Sequence, residues 1–416
     1  MGTAAAGTGG LGAEAGHSCG CRVSGDQNDQ LKISRPFCID GTASFTHRMA
    51  RSYCMLRDAM IRYDQPAELT AFEAISAAQK LAFAPIAFQA SVALERLGIL
   101  EAVAAAKDDG ISAADVAQRL NLSTYGVSVL LDMGLSIGLV WLRNGRYVLD
   151  KVGYFLLNDT MTRVNLDFVA DVCYDAMSSL QDSVAQSAPK GLTRFGDWPT
   201  LYEGLPHLPT RTRTSWLSFD HFYSSHAFAT ALTHVFAAKP RHVLDIGGNT
   251  GLWAQACVEH DKHVKVTIVD LPAQAALTRE RLRAGPHADR ISVEAIDLLD
   301  PAARLPEGAD VIWMSQLLDC FSEQQATRIL RLAAAVMHPG CSLFVLETLC
   351  DRQRYDAASY SLNATSLYFT CIANGVSRMY RSDDLLRVIR DAGLDVVAEQ
   401  DNIGRGHTLL HCRKRP

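Results

Sequence analysis

The chain has 416 residues, of which 48% are hydrophobic and 20% are charged. At roughly 150 residues per domain, this length predicts two or three domains. The composition is typical of a globular protein with a large core, which excludes disorder as the overall state. The net charge of -5 offers no general attraction for nucleic acid or for an anionic membrane.

Nothing in the sequence indicates secretion or a membrane span. The apolar runs end well before the roughly 18 residues that a membrane helix needs. The segment 1–21 lacks the basic and apolar regions of a secretory signal. The 11 cysteines form no repeated framework, as expected for reduced thiols. We therefore expect a cytoplasmic protein.

Residues 1–60 are rich in glycine and weakly periodic, which predicts a flexible leader. They include His17, Cys19 and Cys21, whose side chains are of metal-binding types. Because no second pair follows at the spacing of a structural zinc site, we predict no metal centre.

Residues 61–150 predict a helical domain that ends in a β-hairpin. Apolar residues recur at helical spacing over 68–100, where Pro85 kinks or divides the segment. Ser112 starts a short helix, and a second helix runs from about Ser123 to Gly134. Leu139–Leu149 then alternates around an Asn-Gly turn, a strong hairpin signal. This order of elements is that of a winged helix.

The charge of this domain argues against DNA binding. Between Pro66 and Asp150, nine residues are acidic and six are basic. A domain that neutralises phosphates needs the opposite balance. We therefore predict a dimerisation domain with a winged-helix shape and no nucleic-acid partner.

The rest of the chain divides at about residue 240. Residues 151–240 predict helices and loops that form a linker or a substrate lid, in which His221 and His226 lie among aromatic residues and are best explained by packing. Residues 241–416 alternate strands and helices, which predicts an α/β fold with a parallel, doubly wound, Rossmann-like sheet. The predicted strands are Val243–Ile246, Lys265–Leu271, Ile291–Asp297, Asp310–Ser315, Ser342–Thr348, Val396–Glu399 and Thr408–Cys412.

A glycine-rich turn follows the first of these strands and precedes a predicted helix. Gly247 and Gly248 have no side chain, so backbone N–H groups there and at Asn249 can approach a ligand closely. The carboxylate of Asp245 would repel a diphosphate but attract a cation. The turn therefore favours S-adenosylmethionine over a nicotinamide dinucleotide.

The next two strands also end in acidic residues. Asp270, followed by Leu271, places a carboxylate where it can accept both hydroxyls of a ribose. Asp297, followed by Leu298, suits the amino group of an adenine. Three acidic strand ends together predict a site for an adenosine-containing ligand.

These motifs resemble the class I methyltransferases of the caffeate and acetylserotonin O-methyltransferase type. The resemblance rests on the glycine turn, on Val269-Asp270-Leu271-Pro272, on the turn Met337–Gly340 and on the winged-helix-like domain, and it covers roughly residues 70–413. It implies a homodimer with S-adenosylmethionine as its cofactor. The implied cofactor-binding residues are Asp245, Gly247, Gly248, Asn249, Asp270, Leu271, Asp297, Leu298 and Ser315.

The catalytic position departs from the family pattern. Where the family has Leu-His-Asp-Trp-Ser-Asp-Glu, this chain has Leu318-Asp-Cys-Phe-Ser-Glu-Gln324, which puts Asp319 in place of the catalytic histidine. A carboxylate is a weak base towards a phenol, whose pKa is about 10. Asp319 could orient a phenol hydroxyl or take a ring proton after methylation at carbon. Capping of the following helix is the structural alternative.

Two further residues are candidates for the proton chemistry. The resemblance places Glu347 where the family has a carboxylate that supports the histidine, and mutual repulsion with Asp319 would raise one of the two pKa values. Neutralisation of Glu347 by Arg352 or Arg354 is an equally good interpretation. His407 could reach a phenol, although a structural role is simpler for a lone histidine.

Several segments, including Gln316–Ser322 and Leu346–Thr348, resemble a bacterial subfamily associated with aryl-polyene and flexirubin-type pigments. The resemblance implies a phenolic acceptor, free or bound to a carrier, and methylation at either ring carbon or oxygen. Asn363, Tyr368 and Asn374 would contact it. The rival interpretations are a regulator that binds the cofactor without turnover and a catalytically silent scaffold.

Overall fold

A computed structural model describes residues 66–283 and 285–415, and the structural statements that follow concern these residues. The leader predicted for 1–60, with His17, Cys19 and Cys21, lies outside them. In the described part of the chain, no helix is both long enough and apolar enough to cross a membrane.

The N-terminal part is helical and ends in a hairpin, as its sequence predicts. Its elements are α1 (Ala71–Ala82), α2 (Ala84–Arg96), α3 (Ile99–Ala105), α4 (Ala113–Leu120), α5 (Thr124–Ser136), β1 (Val140–Arg143) and β2 (Arg146–Leu149). Pro85 stands in the first turn of α2, where its missing N–H costs no hydrogen bond, so the apolar segment divides at Phe83. Asn144 and Gly145 both have positive φ, which joins β1 and β2 in a tight antiparallel turn.

The middle of the chain consists of helices joined by short turns. These helices are α6 (Lys151–Asn158), α7 (Thr160–Phe168), α8 (Leu180–Gln186), α9 (Leu201–Gly204), α10 (Thr210–Ser225) and α11 (Phe228–Val235). A π-helical turn, Val169–Cys173, follows α7 directly. Trp216 of α10 is buried in a cluster with Phe168 of α7, and this cluster forms one wall of the cavity described below.

The C-terminal part is built on a sheet of seven strands. They are β3 (His242–Ile246), β4 (Lys265–Asp270), β5 (Ile291–Ala295), β6 (Val311–Ser315), β7 (Ser342–Thr348), β8 (Leu394–Ile403) and β9 (His407–Lys414). Their order across the sheet is β5-β4-β3-β6-β7-β9-β8. The predicted α/β, doubly wound fold class is confirmed.

The sheet is parallel, as predicted, except at one edge. β9 pairs antiparallel with both β7 and β8. The physical reason is the short connection between Ile403 and His407, because a turn of that length can join antiparallel strands but not parallel ones.

Helices cover both faces of the sheet. They are α12 (Leu252–His260), α13 (Pro272–Arg283), α14 (Glu323–Val336), α15 (Asp356–Tyr368) and α16 (Ser382–Asp391). Because side chains alternate along a strand, Leu244 and Ile246 of β3 pack into one core cluster with α14 and α16, while Val243 packs with α12 on the other face. The sheet is thus buried on both faces, and its carboxyl edge is left for a ligand.

We predict that Gly153→Ala lowers the free energy of unfolding by about 1–3 kcal/mol. A Cβ at Gly153, in α6, would overlap the backbone carbonyl oxygen of Leu139. Gly126→Ala in α5 is the matched control, since its Cβ would lie 3.9 Å from the nearest atoms and alanine favours a helix by up to about 1 kcal/mol. Urea unfolding followed by circular dichroism measures both. Equal stability of the Gly153 variant and the wild type would contradict the close approach of α6 to Leu139.

Candidate active site

A cavity of about 360 Å³ opens at the carboxyl ends of β3, β4 and β6. All nine residues that the sequence assigns to the cofactor line it: Asp245, Gly247, Gly248, Asn249, Asp270, Leu271, Asp297, Leu298 and Ser315. The strand ends bring them together, because parallel strands present their carboxyl ends at one edge of the sheet.

The glycine turn fits closely against its surroundings. Gly247 and Gly251 have φ values of +76° and +79°, a region that favours glycine. A Cβ on Gly248 would stand 2.6 Å from Asp245 Oδ2, and one on Gly247 would stand 2.6 Å from a methyl carbon of Leu317. The turn thus leaves a backbone cradle that any larger residue would fill.

The carboxylate of Asp270 connects the turn to the second strand. Its Oδ2 accepts the N–H of Asn249 at 2.8 Å, and its Oδ1 accepts the N–H of Leu271 at 2.8 Å. Each carboxylate oxygen keeps a second lone pair, so Asp270 can still accept the hydroxyls of a ribose. At the next strand end, Asp297 Oδ1 accepts the N–H of Leu299 at 2.8 Å and fixes that loop.

Asp245 is a buried acid with an unused acceptor. Its Oδ2 has no hydrogen-bond partner among the described residues, and the same holds for Ser315 Oγ. Burial, and then the charge of Asp270, raise the pKa of Asp245 to about 8. A cationic ligand would supply the missing partner and restore the ionised form, so the donor set fits S-adenosylmethionine.

Aromatic side chains form one wall of the cavity. Phe168 stacks on Phe219 with ring centroids 4.0 Å apart, and Tyr368 meets Phe168 edge-on at 5.1 Å. The indole N–H of Trp216 donates to the hydroxyl of Tyr368 at 2.7 Å, which holds both rings in place. All four line the cavity and offer an apolar slot for a flat, aromatic molecule.

Asp319 also lines this cavity. It is 3% exposed and belongs to a short 3₁₀ turn, Leu318–Cys320. It does not cap α14, because the Ser322 side chain does so by accepting the N–H of Gln325 at 3.3 Å. Burial raises the pKa of Asp319, and the charge of Asp220 raises it further. Asp319 is therefore a better proton acceptor than an ordinary aspartate.

Glu347 supports the segment that carries Asp319 but does not line the cavity. Its Oε1 accepts the N–H groups of Leu317 and Leu318 at 3.1 and 2.8 Å. Burial, and then the charge of Asp319, raise the pKa of Glu347. Arg352 pairs with Glu399 and Asp401, so Glu347 is not neutralised by this arginine. Glu347 is a positioning residue rather than a group that touches the acceptor.

The remaining candidates divide into two groups. Tyr368 and Asn374 line the cavity, and Asn374 Nδ2 donates to the carbonyl oxygen of Cys320 at 2.7 Å. Asn363 is exposed on α15, and neither it nor His407 lines the cavity. His407 is fully buried in β9, where burial lowers its pKa to about 4 and keeps the ring neutral.

Two residues of α10, Asp220 and His221, line the cavity although no sequence motif predicts that they do. Asp220 Oδ2 accepts Asn249 Nδ2 at 2.9 Å, and His221 Nε2 lies 3.2 Å from Thr250 Oγ1. His221 therefore lines the cavity rather than only packing. The sequence signal that could have indicated them is a pair of polar residues, Asp220 and His221, between aromatic residues of one helix. Across the described ranges, no group of three or more His, Cys, Asp or Glu side chains could hold a metal ion.

Comparisons with known proteins agree with this geometry. The model of a Dimerisation2-like domain matches residues 76–147, and that of an O-methyltransferase domain matches residues 223–394. The 3-hydroxy-5-methyl-1-naphthoate 3-O-methyltransferase of Streptomyces sahachiroi is 28% identical over 305 residues, 72% of this chain and 84% of that protein. The L-tyrosine C(3)-methyltransferase of Streptomyces lavendulae is 22% identical over 267 residues, 63% of this chain and 72% of that protein.

Among solved structures, the apo form of the S-adenosylmethionine-dependent methyltransferase SibL aligns with a TM-score of 0.64 and 22% identity. The alignment covers 82% of this chain and 100% of that one. Fold, glycine turn and family match together define a class I S-adenosylmethionine-dependent methyltransferase. The acetylserotonin O-methyltransferase of Macaca mulatta is 25% identical over 296 residues, 64% of this chain and 79% of that protein. The cofactor of this methyltransferase is S-adenosylmethionine.

We predict that Asp245→Asn stabilises the cofactor-free protein and weakens cofactor binding. The raised pKa means that the folded wild type keeps a proton that the unfolded chain releases, so its stability falls as the pH rises from about 4 to about 8. The asparagine variant lacks this slope. Its advantage should grow by about 1.4 kcal/mol for each pH unit across this range.

Urea unfolding at several pH values measures the stability, and calorimetry measures the affinity for S-adenosylhomocysteine and for S-adenosylmethionine. Asp383→Asn, on the exposed side of α16, is the control. A stability difference that stays constant across this pH range would refute the assignment of a buried, protonated Asp245.

Proposed function

We propose that this protein transfers a methyl group from S-adenosylmethionine to a phenolic small molecule held between Asp319 and the aromatic wall. The observation that carries the proposal is that the buried carboxyl group of Asp319 lines the same cavity as the cofactor-side residues and the rings of Phe168 and Tyr368. Both curated relatives described above methylate aromatic compounds by their names. A flat ring in this slot would share the cavity with the carboxylate of Asp319.

The cofactor supplies the methyl group as an electrophile, and the residues of the chain bind, orient and move a proton. Positioning is the main contribution, and a well-oriented pair of reactants gains roughly 7–11 kcal/mol. Asp319 acts as the proton acceptor, and burial, with the charge of Asp220, keeps its pKa above that of an exposed aspartate.

We propose methylation at a ring carbon next to the hydroxyl as the primary reaction. A phenol has a pKa of about 10, so even a strengthened carboxylate takes its proton poorly. A ring carbon that has accepted a methyl group carries a strongly acidic proton, which a carboxylate removes readily. The tyrosine C(3)-methyltransferase relative shows that this family includes a carbon acceptor.

Methylation at the phenol oxygen is the second candidate, and the match to the naphthoate 3-O-methyltransferase favours it. The acceptor class that we propose is the phenolic head group of an aryl-polyene pigment, either free or bound to a carrier. Support for this finer assignment comes from the resemblance of Gln316–Ser322 and Leu346–Thr348 to the corresponding bacterial subfamily.

We predict that Asp319→Asn keeps cofactor binding but lowers turnover by about 10²–10⁴-fold. The amide preserves the shape of the side chain and removes its ability to accept a proton. Because burial raises the pKa of Asp319, the turnover of the wild type should increase with pH as this group ionises, and the residual activity of the variant should lack that step.

The assay uses a methyl-labelled cofactor and a panel of phenols, and NMR of the product identifies the methylated atom. Calorimetry with S-adenosylhomocysteine serves as the binding control. A fully active Asp319 variant would contradict the proposed role of this residue.

We also propose that the protein is a homodimer joined through its N-terminal helices. The described residues of α1 include none that is buried, and Phe72 and Ile75 are 86% and 58% exposed. Large apolar side chains continue along this surface at Leu69, Leu81, Phe83 and Ile86. A monomer rarely exposes a contiguous patch of this kind, and the Dimerisation2-like match begins at residue 76.

We predict that the double variant Phe72→Asp, Ile75→Asp is a monomer where the wild type is a dimer, because two charges in an apolar interface lose their hydration. Ala77→Asp, on the opposite side of α1, is the control and should stay dimeric. Light scattering coupled to size exclusion measures the mass. A dimeric double variant would place the interface elsewhere.

A further inference from the structure

Acidic side chains are prominent in the lining of the cavity. Its carboxylates are Glu203, Asp220, Asp245, Asp270, Asp297 and Asp319. Over the ranges that the structure describes, no lysine or arginine lines the cavity. The histidine that lines it, His221, has a pKa lowered by burial and by the charge of Arg281, so it adds no positive charge near neutral pH.

Most of these acidic residues already have a structural or chemical role. Asp245, Asp270 and Asp297 stand at the strand ends on the cofactor side. Glu203 Oε2 accepts the N–H of Thr200 at 3.2 Å, which caps α9. Asp319 is the proposed proton acceptor. Asp220 is the one carboxylate of the cavity to which neither the cofactor pattern nor the proposed chemistry gives a role.

Asp220 lies where the two halves of the site meet. Its hydrogen bond from Asn249 ties it to the glycine turn at 2.9 Å, and its neighbour Phe219 belongs to the aromatic wall. Its charge also raises the pKa values of Asp319 and Tyr368, so it lies near both acceptor-side groups. Burial raises the pKa of Asp220 itself to about 6, which leaves it mostly ionised near neutral pH.

A second carboxylate in this space would be costly. An anionic substituent on the acceptor would leave water, lose its hydration and meet Asp220 and Asp319 without a compensating cation. A neutral substituent of the same shape loses little, and one that carries N–H groups can donate to Asp220. The net positive charge of the cofactor compensates part of the acidic wall but not an additional anion.

Building on the proposed function, we infer that the acceptor is a phenol without a carboxylate on its ring system and that Asp220 is the residue that excludes the carboxylate. This separates the chain from its naphthoate-methylating relative, whose named substrate is a carboxylate. It also limits a pigment precursor to one whose acid group is remote from the ring or masked as an ester, thioester or amide.

The test compares acceptors that differ only in charge. Hydroxybenzoate and hydroxynaphthoate are each paired with the corresponding amide, and the full chain is assayed with saturating S-adenosylmethionine. We expect each amide to exceed its acid by at least about tenfold in kcat/KM. Binding of the same pairs to the complex with S-adenosylhomocysteine should show the same preference, which separates recognition from phenol reactivity.

Asp220→Asn is the decisive variant, because the amide oxygen can still accept the hydrogen bond from Asn249 while the charge is gone. We expect this variant to retain affinity for S-adenosylhomocysteine. The ratio of kcat/KM for the amide to kcat/KM for the acid should fall by about five- to tenfold. Asp383→Asn, on the surface of α16, should keep the wild-type ratio of kcat/KM between amide and acid.

The possible outcomes are distinct. An acid that equals or exceeds its amide in the wild type overturns the inference, as does an unchanged preference in the Asp220 variant. Loss of cofactor affinity in that variant would assign Asp220 to the cofactor instead. If the protein binds S-adenosylhomocysteine but neither binds nor methylates any phenol of the panel, the proposed function fails rather than the selectivity alone.

Discussion

The site depends on a buried carboxyl group that the protein itself leaves incompletely satisfied. Asp245 is the last residue but one of β3 and is buried, and its Oδ2 meets no hydrogen-bond donor among the described residues. Leaving a buried acceptor unpaired costs about 1–3 kcal/mol. A cationic cofactor removes that cost, so part of the binding free energy is stored in the cofactor-free fold as unfavourable burial.

Hydrogen bonds fix further acidic residues on both sides of β3. Asp270 organises the glycine turn through the backbone of Asn249, and Asn249 in turn holds Asp220. On the other side, Glu347 binds two backbone N–H groups of the segment that carries Asp319. Asp270, Asp220 and Glu347 are therefore fixed by hydrogen bonds to backbone or amide groups.

Much of the fold and of the cofactor side could be predicted from the sequence because the relevant signals are local. The buried strand β3, the glycine turn and the acidic residue that ends β4 lie within about 30 residues of one another along the chain. The acceptor side could not be predicted in the same way. Asp220 enters the cavity only because α10 folds against the turn that holds Asn249, and no short motif encodes that approach.

The difference between local signals and tertiary contacts also explains why the sequence was misleading for His407 and Asn363. His407 follows a turn rich in glycine, which is typical of an accessible site, but its strand pairs with β7 and buries the ring completely. Asn363 lies on the exposed side of α15, whereas Tyr368, little more than a turn away, points into the cavity. Helical phase and strand pairing decided both cases, and neither follows from the identity of the residue alone.

The proton balance of cofactor binding tests the central claim most directly. Calorimetry of S-adenosylmethionine binding at about pH 6.5, in buffers of different ionisation enthalpy, counts the protons exchanged. Since Asp245 is protonated in the free protein and ionised beside the cation, close to one proton should be released, and Asp245→Asn should abolish the release. Binding without proton release, or with equal release in the variant, would contradict the account.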